Sequence, residues 1–369
     1  TFPQPLPPGR KVVPMTLPSS LDRRRFLQLT AGGLAGIAGA SLLGACGAGP
    51  TGDISALEDA AVSTFPLSLQ LSWLKTVEFG GSYMAQTKGY YTSKKVAVTL
   101  TAGGPDVDPS PLVANNKAFV GLTGLDQVSQ AINQGAPLKV VGVLFQKNPF
   151  CVVSRADNPI TKPTDLYGKK IGVAAGNSTA WDAFLKLNKL DVSKITVVPA
   201  QFDPTPVATG EYDGQVVFID NEVIQLQQKG LKTATMLFED FNYHLVTDVY
   251  IVNTSTLSDK TKRAALVRFL QADLMGWQDA LANPAAAAAL TVNHYGKGTG
   301  LDLPQQVGEA KAQIPLISDA YTKAHGLGYF TAESLAPDFK TLAASGITAS
   351  AKFVDPSVIA DVYQGKTTL

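Results

Sequence analysis

Leu166-Tyr167-Gly168-Lys169-Lys170-Ile171-Gly172-Val173, followed at once by Gly176-Asn177-Ser178-Thr179, is the stretch that decides how this chain is organised. A glycine turn feeds a short apolar run, and a second glycine opens onto polar residues suited to start a helix. A fresh βα unit therefore begins in mid-chain. It continues as a strand over 195–198, a short helix over 204–209, a strand over 214–219, a helix over 221–229 closed by Gly230, and an edge strand over 235–238.

The flanks follow the same alternation. Upstream, strands are expected over 67–71, 96–100, 119–122 and 138–145. Between them fall helices over 78–88, capped by Gly89, from 112, and over 126–134, stopped by Gly135. A run over 150–154 is expected to continue that sheet beyond the turn at Asn148-Pro149. Downstream, a strand over 249–253 leaves the middle unit, and helices follow over 259–282, 284–295, 304–314 and 332–344. A middle insert of about 90 residues with its own βαβαβ order requires two crossings between lobes, which make a hinge. The predicted fold class is α/β: two lobes with mainly parallel sheets, two hinge crossovers and a helical C-terminal segment. Lobe one takes 66–154 and 249–369, and lobe two takes 155–248.

At 369 residues the chain is long enough for two lobes, each with its own core. Balanced charge, 31 basic against 30 acidic residues, leaves no electrostatic footprint for nucleic acid. Two cysteines, Cys46 and Cys151, give no disulfide framework, and His244, His294 and His325 have no ligand-like spacing, so neither metal nor cofactor is expected.

Residues 1–46 read as a signal region. Asp22-Arg23-Arg24-Arg25-Phe26-Leu27-Gln28 precedes a run of Leu, Ala, Gly and Ile that ends in Leu43-Gly44-Ala45-Cys46. The arginine pair resembles a twin-arginine signal, and the last four residues resemble a lipobox with Cys46 as the lipidated residue. Residues 1–14 are proline-rich and lack an initial Met, and Met15 stands a normal distance upstream of the arginines, which makes it a candidate start. The small and polar stretch 47–65 is expected to tether a folded part to a lipid anchor at the outer face of the cytoplasmic membrane.

Several segments match one family. Ser72-Trp73-Leu74-Lys75-Thr76-Val77-Glu78-Phe79-Gly80-Gly81-Ser82-Tyr83-Met84-Ala85, then Lys88-Gly89-Tyr90-Tyr91, resembles the opening of bacterial binding proteins for thiamine pyrimidine precursors. Gly103-Gly104-Pro105-Asp106 and 112–121 resemble their second strand and loop, and 165–173 resembles the entry to their second lobe. Lys94-Lys95 departs from the family, whose members usually carry an acidic residue and Gly there. The group includes sulfonate, taurine and nitrate binders, all with the type II periplasmic binding fold. The resemblance implies a monomeric, non-enzymatic component of an ABC importer that hands a small-molecule solute to a membrane permease. Eukaryotic pyrimidine-synthesising relatives use a cysteine-rich motif and a substrate-supplying histidine; this chain lacks that cysteine cluster.

Ligands of open α/β sheets lie beyond the carboxyl ends of the strands, so the cleft between the lobes is the expected site. Trp73 ends the first strand and offers a flat face to a ring, with a core indole as the alternative. Glu78, Phe79 and Tyr83 open the next helix as acceptor and aromatic candidates, or as cap and packing. Asp106 lies in a loop after a strand, where a turn role competes. Asn177, Ser178 and Thr179 offer free N–H groups or ordinary capping. Trp181 is a cleft wall or a core residue, and Asp220 and Asn221 are contacts or a cap. Gln146 and Asn148 mark the hinge-side loop. Carboxylates and aromatics without arginine point to a neutral or cationic heteroaromatic, with a small oxyanion as the alternative.

Overall fold

The computed structural model describes residues 63–369. The arginine pair, the small-residue run and Cys46 lie outside the described residues. Ten strands are named in chain order: β1 (Phe65–Gln70), β2 (Val96–Thr101), β3 (Val120–Thr123), β4 (Leu138–Phe145), β5 (Phe150–Arg155), β6 (Lys170–Val173), β7 (Thr196–Pro199), β8 (Gly214–Phe218), β9 (Thr233–Leu237) and β10 (Thr247–Asn253). They form two five-stranded sheets, ordered β2-β1-β3-β10-β4 and β7-β6-β8-β5-β9. β1 pairs in parallel with β2 and β3, and β6 with β7 and β8. The returning β10 and the entering β5 run antiparallel to their neighbours.

That pairing corrects one expectation. The run at 150–154 does not continue the first sheet: β5 lies between β8 and β9 in the second. Its apolar residues announce a strand buried on both faces, but such a pattern carries no information about which sheet supplies the partners. The forward crossing therefore falls at 146–149 rather than after 154, and the return at 238–246. Asn148 ties the crossings together, donating from Nδ2 to the Leu245 carbonyl at 2.9 Å while its Oδ1 accepts the Phe150 N–H at 3.0 Å.

The helices that position the cleft are α1 (Gly80–Thr87), α2 (Leu125–Asn133), α3 (Ser178–Leu187), α4 (Glu222–Gln228), α5 (Lys260–Ala282) and α6 (Leu303–Ala312). The helix expected over 78–88 is split into a 3-10 turn, Val77–Phe79, capped by the Thr76 side chain, and α1. Gly89 follows in the left-handed conformation at φ 75°, as a C-terminal glycine should. No helix among the described residues is long and apolar enough to cross a membrane.

α5 lies on α1 almost backbone to backbone. A Cβ at Gly276 would sit 2.2 Å from the Gly81 carbonyl oxygen, and one at Gly81 would strike the Trp277 ring. Beside this contact the buried Asp273 accepts hydroxyl hydrogen bonds from Ser82, Tyr91 and Tyr250, tying both helices to β10. Overpacking usually costs about 1–3 kcal/mol. Gly276→Ala is expected to cost about 2 kcal/mol in a urea titration, since the obstacle is backbone; an unchanged midpoint would show that the helices part freely.

Candidate functional site

After β1 the chain turns along the mouth of the cleft. Residues 71–73 are pinned by the 103–104 loop: the Gly103 N–H donates to the Trp73 carbonyl at 2.8 Å, and a Cβ at Gly103 would lie 2.3 Å from the Leu71 carbonyl oxygen. The 3-10 turn is clamped from the C-terminal side. The Gln306 Oε1 accepts the Val77 N–H at 2.6 Å, and Thr76 Oγ1 donates to Glu309 at 2.9 Å. These contacts fix the direction in which Trp73 and Glu78 face.

The lobes touch across the cleft. The Gly176 N–H donates to the Pro105 carbonyl at 2.7 Å, Gln127 Nε2 to the Gly176 carbonyl at 2.5 Å, and Thr179 Oγ1 to Gln130 at 3.0 Å. Between them remains a cavity of about 60 Å³. Lobe one contributes Ser72, Trp73, Glu78, Gly104 and Asp126; lobe two contributes Phe150, Asn177, Phe218, Asn221 and Glu222; the return crossing contributes Thr247 and Asp248. Phe150 and Phe218 meet edge to face, with centroids 4.7 Å apart.

Among the described residues no lysine, arginine or histidine lines this cavity, whereas Glu78, Asp126, Glu222 and Asp248 do. The Ser72 hydroxyl lies 3.0 Å from Asp248 Oδ1 and 3.4 Å from Glu78 Oε1, so two buried carboxyls crowd around one hydroxyl. Burial pushes Asp248 up to about 7, against the Ser72 hydrogen bond. Burial and then the Asp248 charge raise Glu78 well above the usual range. Asp220 and Glu222 are each raised to about 7 by burial, and Glu309 to about 8 by burial with the Asp220 charge behind it. Asp248 Oδ2 is buried and makes no hydrogen bond with the described residues. Its backbone is left-handed at φ 46°, a conformation that Asp tolerates at a cost of about 1–3 kcal/mol and that tends to accompany function.

Four of the predicted residues line the cavity together: Trp73, Glu78, Asn177 and Asn221. The others do not. Phe79 and Tyr83 are fully buried in the lobe-one core, with Tyr83 stacked on Tyr295 at 4.2 Å. Trp181 packs on Phe184 and Phe238 inside lobe two. Asp106, Ser178 and Thr179 lie around an outward recess on the other side of the lobe contact. Asp220 is buried next to the lining but not part of it. The N–H groups expected to be free at the start of α3 are engaged: Gly176 bonds Pro105, Asn177 bonds Ala174, and Ser178 bonds Ala175. Ser72, Phe150, Phe218, Glu222 and Asp248 were missed. Glu222 directly follows a predicted residue and was within reach; Asp248 carried no local signal, since only the crossing brings it beside Glu78.

The comparisons bear on the family. Residues 76–287 match the model of a family described as NMT1/THI5 like. The chain belongs to that family. Within curated proteins it is 26% identical over 278 residues to the riboflavin-binding protein RibY of Chloroflexus aurantiacus, covering 71% of this chain and 76% of that one. It is 23% identical over 169 residues to the 4-amino-5-hydroxymethyl-2-methylpyrimidine phosphate synthase of Schizosaccharomyces pombe, covering 45% and 49%. Among solved structures, the periplasmic aliphatic sulphonate binding protein SsuA from Escherichia coli superposes with a TM-score of 0.57 at 17% identity, covering 80% of this chain and 92% of that one. At such identity SsuA shows the fold alone, which is the two-lobed periplasmic binding fold expected from the sequence.

Proposed function

We propose that the protein is the solute-binding component of an ABC importer and that it encloses a flat, nitrogen-bearing heteroaromatic between its lobes. The observation that carries this reading is the lining: three aromatic side chains beside four carboxyls, one with an unpartnered oxygen, and no basic side chain. Aromatic faces take a ring, and carboxyl oxygens accept from amino or ring N–H groups at its edge. A riboflavin binder among the relatives, and thiamine-precursor binders by resemblance, fit a heteroaromatic of this kind.

An oxyanion solute is supported by the SsuA likeness in fold. It is disfavoured here because sulfonate or nitrate would meet carboxyls, and because the Gly176, Asn177 and Ser178 amides bond within the protein. A synthase role has the fungal relatives behind it, yet the lining offers no cysteine or histidine. Export and lipidation at Cys46 complete the proposal on the strength of the signal-like residues 22–46, and delivery to a permease and a monomeric state on the strength of the family resemblance.

A thermal-shift panel separates these readings. An aminopyrimidine, a purine and a flavin are set against an alkanesulfonate, taurine and nitrate. A true solute at one hundred times its Kd should stabilise the protein by about 2.7 kcal/mol. Stabilisation by the anions alone, or conversion of any solute to product, would remove the proposal.

A further inference from the structure

Behind Trp73 lies a second, larger recess between the lobes, of about 640 Å³. It shares Trp73, Asn221 and Glu222 with the acidic cavity, so those three residues form a common wall. Its chemistry is different. Gln225 and Gln228 of α4 face Gln305 of α6 across it, with Lys75 and Lys229 also on its lining. Primary amides donate and accept together, which suits neutral hydroxyl groups, whereas the carboxyls that crowd the acidic cavity only accept when ionised.

We propose that this recess receives a hydroxylated chain carried by the solute whose ring occupies the acidic cavity. The inference rests on the reading of that cavity given above and narrows the solute class to a ring with a polar chain. Size supports it: the acidic cavity, about 60 Å³, is smaller than the roughly 150 Å³ that admits benzene, so a ring enters it only as the lobes part, and the recess next door, about 640 Å³, is where a chain finds room. The wall can also part. Gln305 Nε2 donates to Asn221 Oδ1 at 3.2 Å, a bond from one lobe to the other that must break when the lobes open and that re-forms beside anything laid across the wall.

Calorimetric titration of the full chain with two probe pairs tests this: lumichrome against riboflavin, and adenine against adenosine. In each pair the second compound adds a hydroxylated chain or sugar to the same ring. The chain-bearing member of a pair that binds should bind at least tenfold more tightly. Gln225→Trp, which fills the recess, should abolish that advantage and leave the bare ring's affinity unchanged; Gln228→Ala, a smaller change on the exposed side of α4, should reduce it severalfold. Equal affinity within a binding pair, or an advantage that survives Gln225→Trp, would overturn the inference while leaving the ring site standing. Failure of both rings and both derivatives to bind would overturn the ring site and this inference with it.

Discussion

Between pH 5 and pH 8 the ligand-free protein is expected to lose several kcal/mol of stability. Asp220, Glu222 and Asp248 are held near 7 and Glu309 near 8, chiefly by burial, while in the unfolded chain such groups titrate near 4. Across the interval from about 4 to about 8 the folded state therefore holds more protons than the unfolded one, and stability falls as pH rises. It is fully present below the unfolded range and is lost as pH climbs through the folded values. Raising one carboxyl from about 4 to about 7 is worth about 4 kcal/mol. The groups repel one another when charged, so the total is collective rather than four such contributions. Urea unfolding at fixed temperature across this range measures the slope, and Asp248→Asn should flatten it. A stability that rises toward pH 8 would show that these carboxyls are solvated in the free protein. Ligand binding has a sign of its own: a solute that donates to the carboxyls favours their ionised form, so binding should release protons near pH 6–7.

Trp73→Ala is expected to weaken solute binding by roughly 30- to 150-fold while lowering the stability of the ligand-free protein much less. The indole is only partly buried without ligand, and burying one of its faces against a ring removes on the order of 100 Å² from water. At about 25 cal/mol per Å² that is about 2–3 kcal/mol of binding. Calorimetry with the best solute of the panel, paired with urea unfolding of both proteins, separates the two effects. Equal affinity in mutant and parent would take Trp73 out of the site.

The βα order, the sheet to which nine of the ten strands belong and the existence of two lobes were legible in the residues, because alternating apolar runs and glycine stops are local signals, whereas the order of the strands within each sheet was not. The exception, β5, shows where that information ends. A run buried on both faces reads the same in either sheet, and only the turn at Asn148-Pro149 with its bond to Leu245 sends it across. The site divides in the same way. Trp73, Glu78, Asn177 and Asn221 stand where strands give way to helices, and that position can be seen in the sequence. Phe79, Tyr83 and Trp181 lie on the same segments but point inward, since each helical residue is turned about 100° from the one before it and only part of a helix start faces the cleft.

The sequence by itself determined the two-lobed architecture and the quarter of the molecule in which a ligand would lie, because both follow from periodicity and turn chemistry within short windows. Only the tertiary structure decided which carboxyls crowd together in the site. Glu78, Glu222 and Asp248 come from three separate segments, and their crowding arises when the return crossing lays Asp248 against Ser72 and the closing lobe brings α4 over them. Burial then removes the water that would have kept each carboxyl ordinary, and that loss of solvation is a property of the assembled cleft.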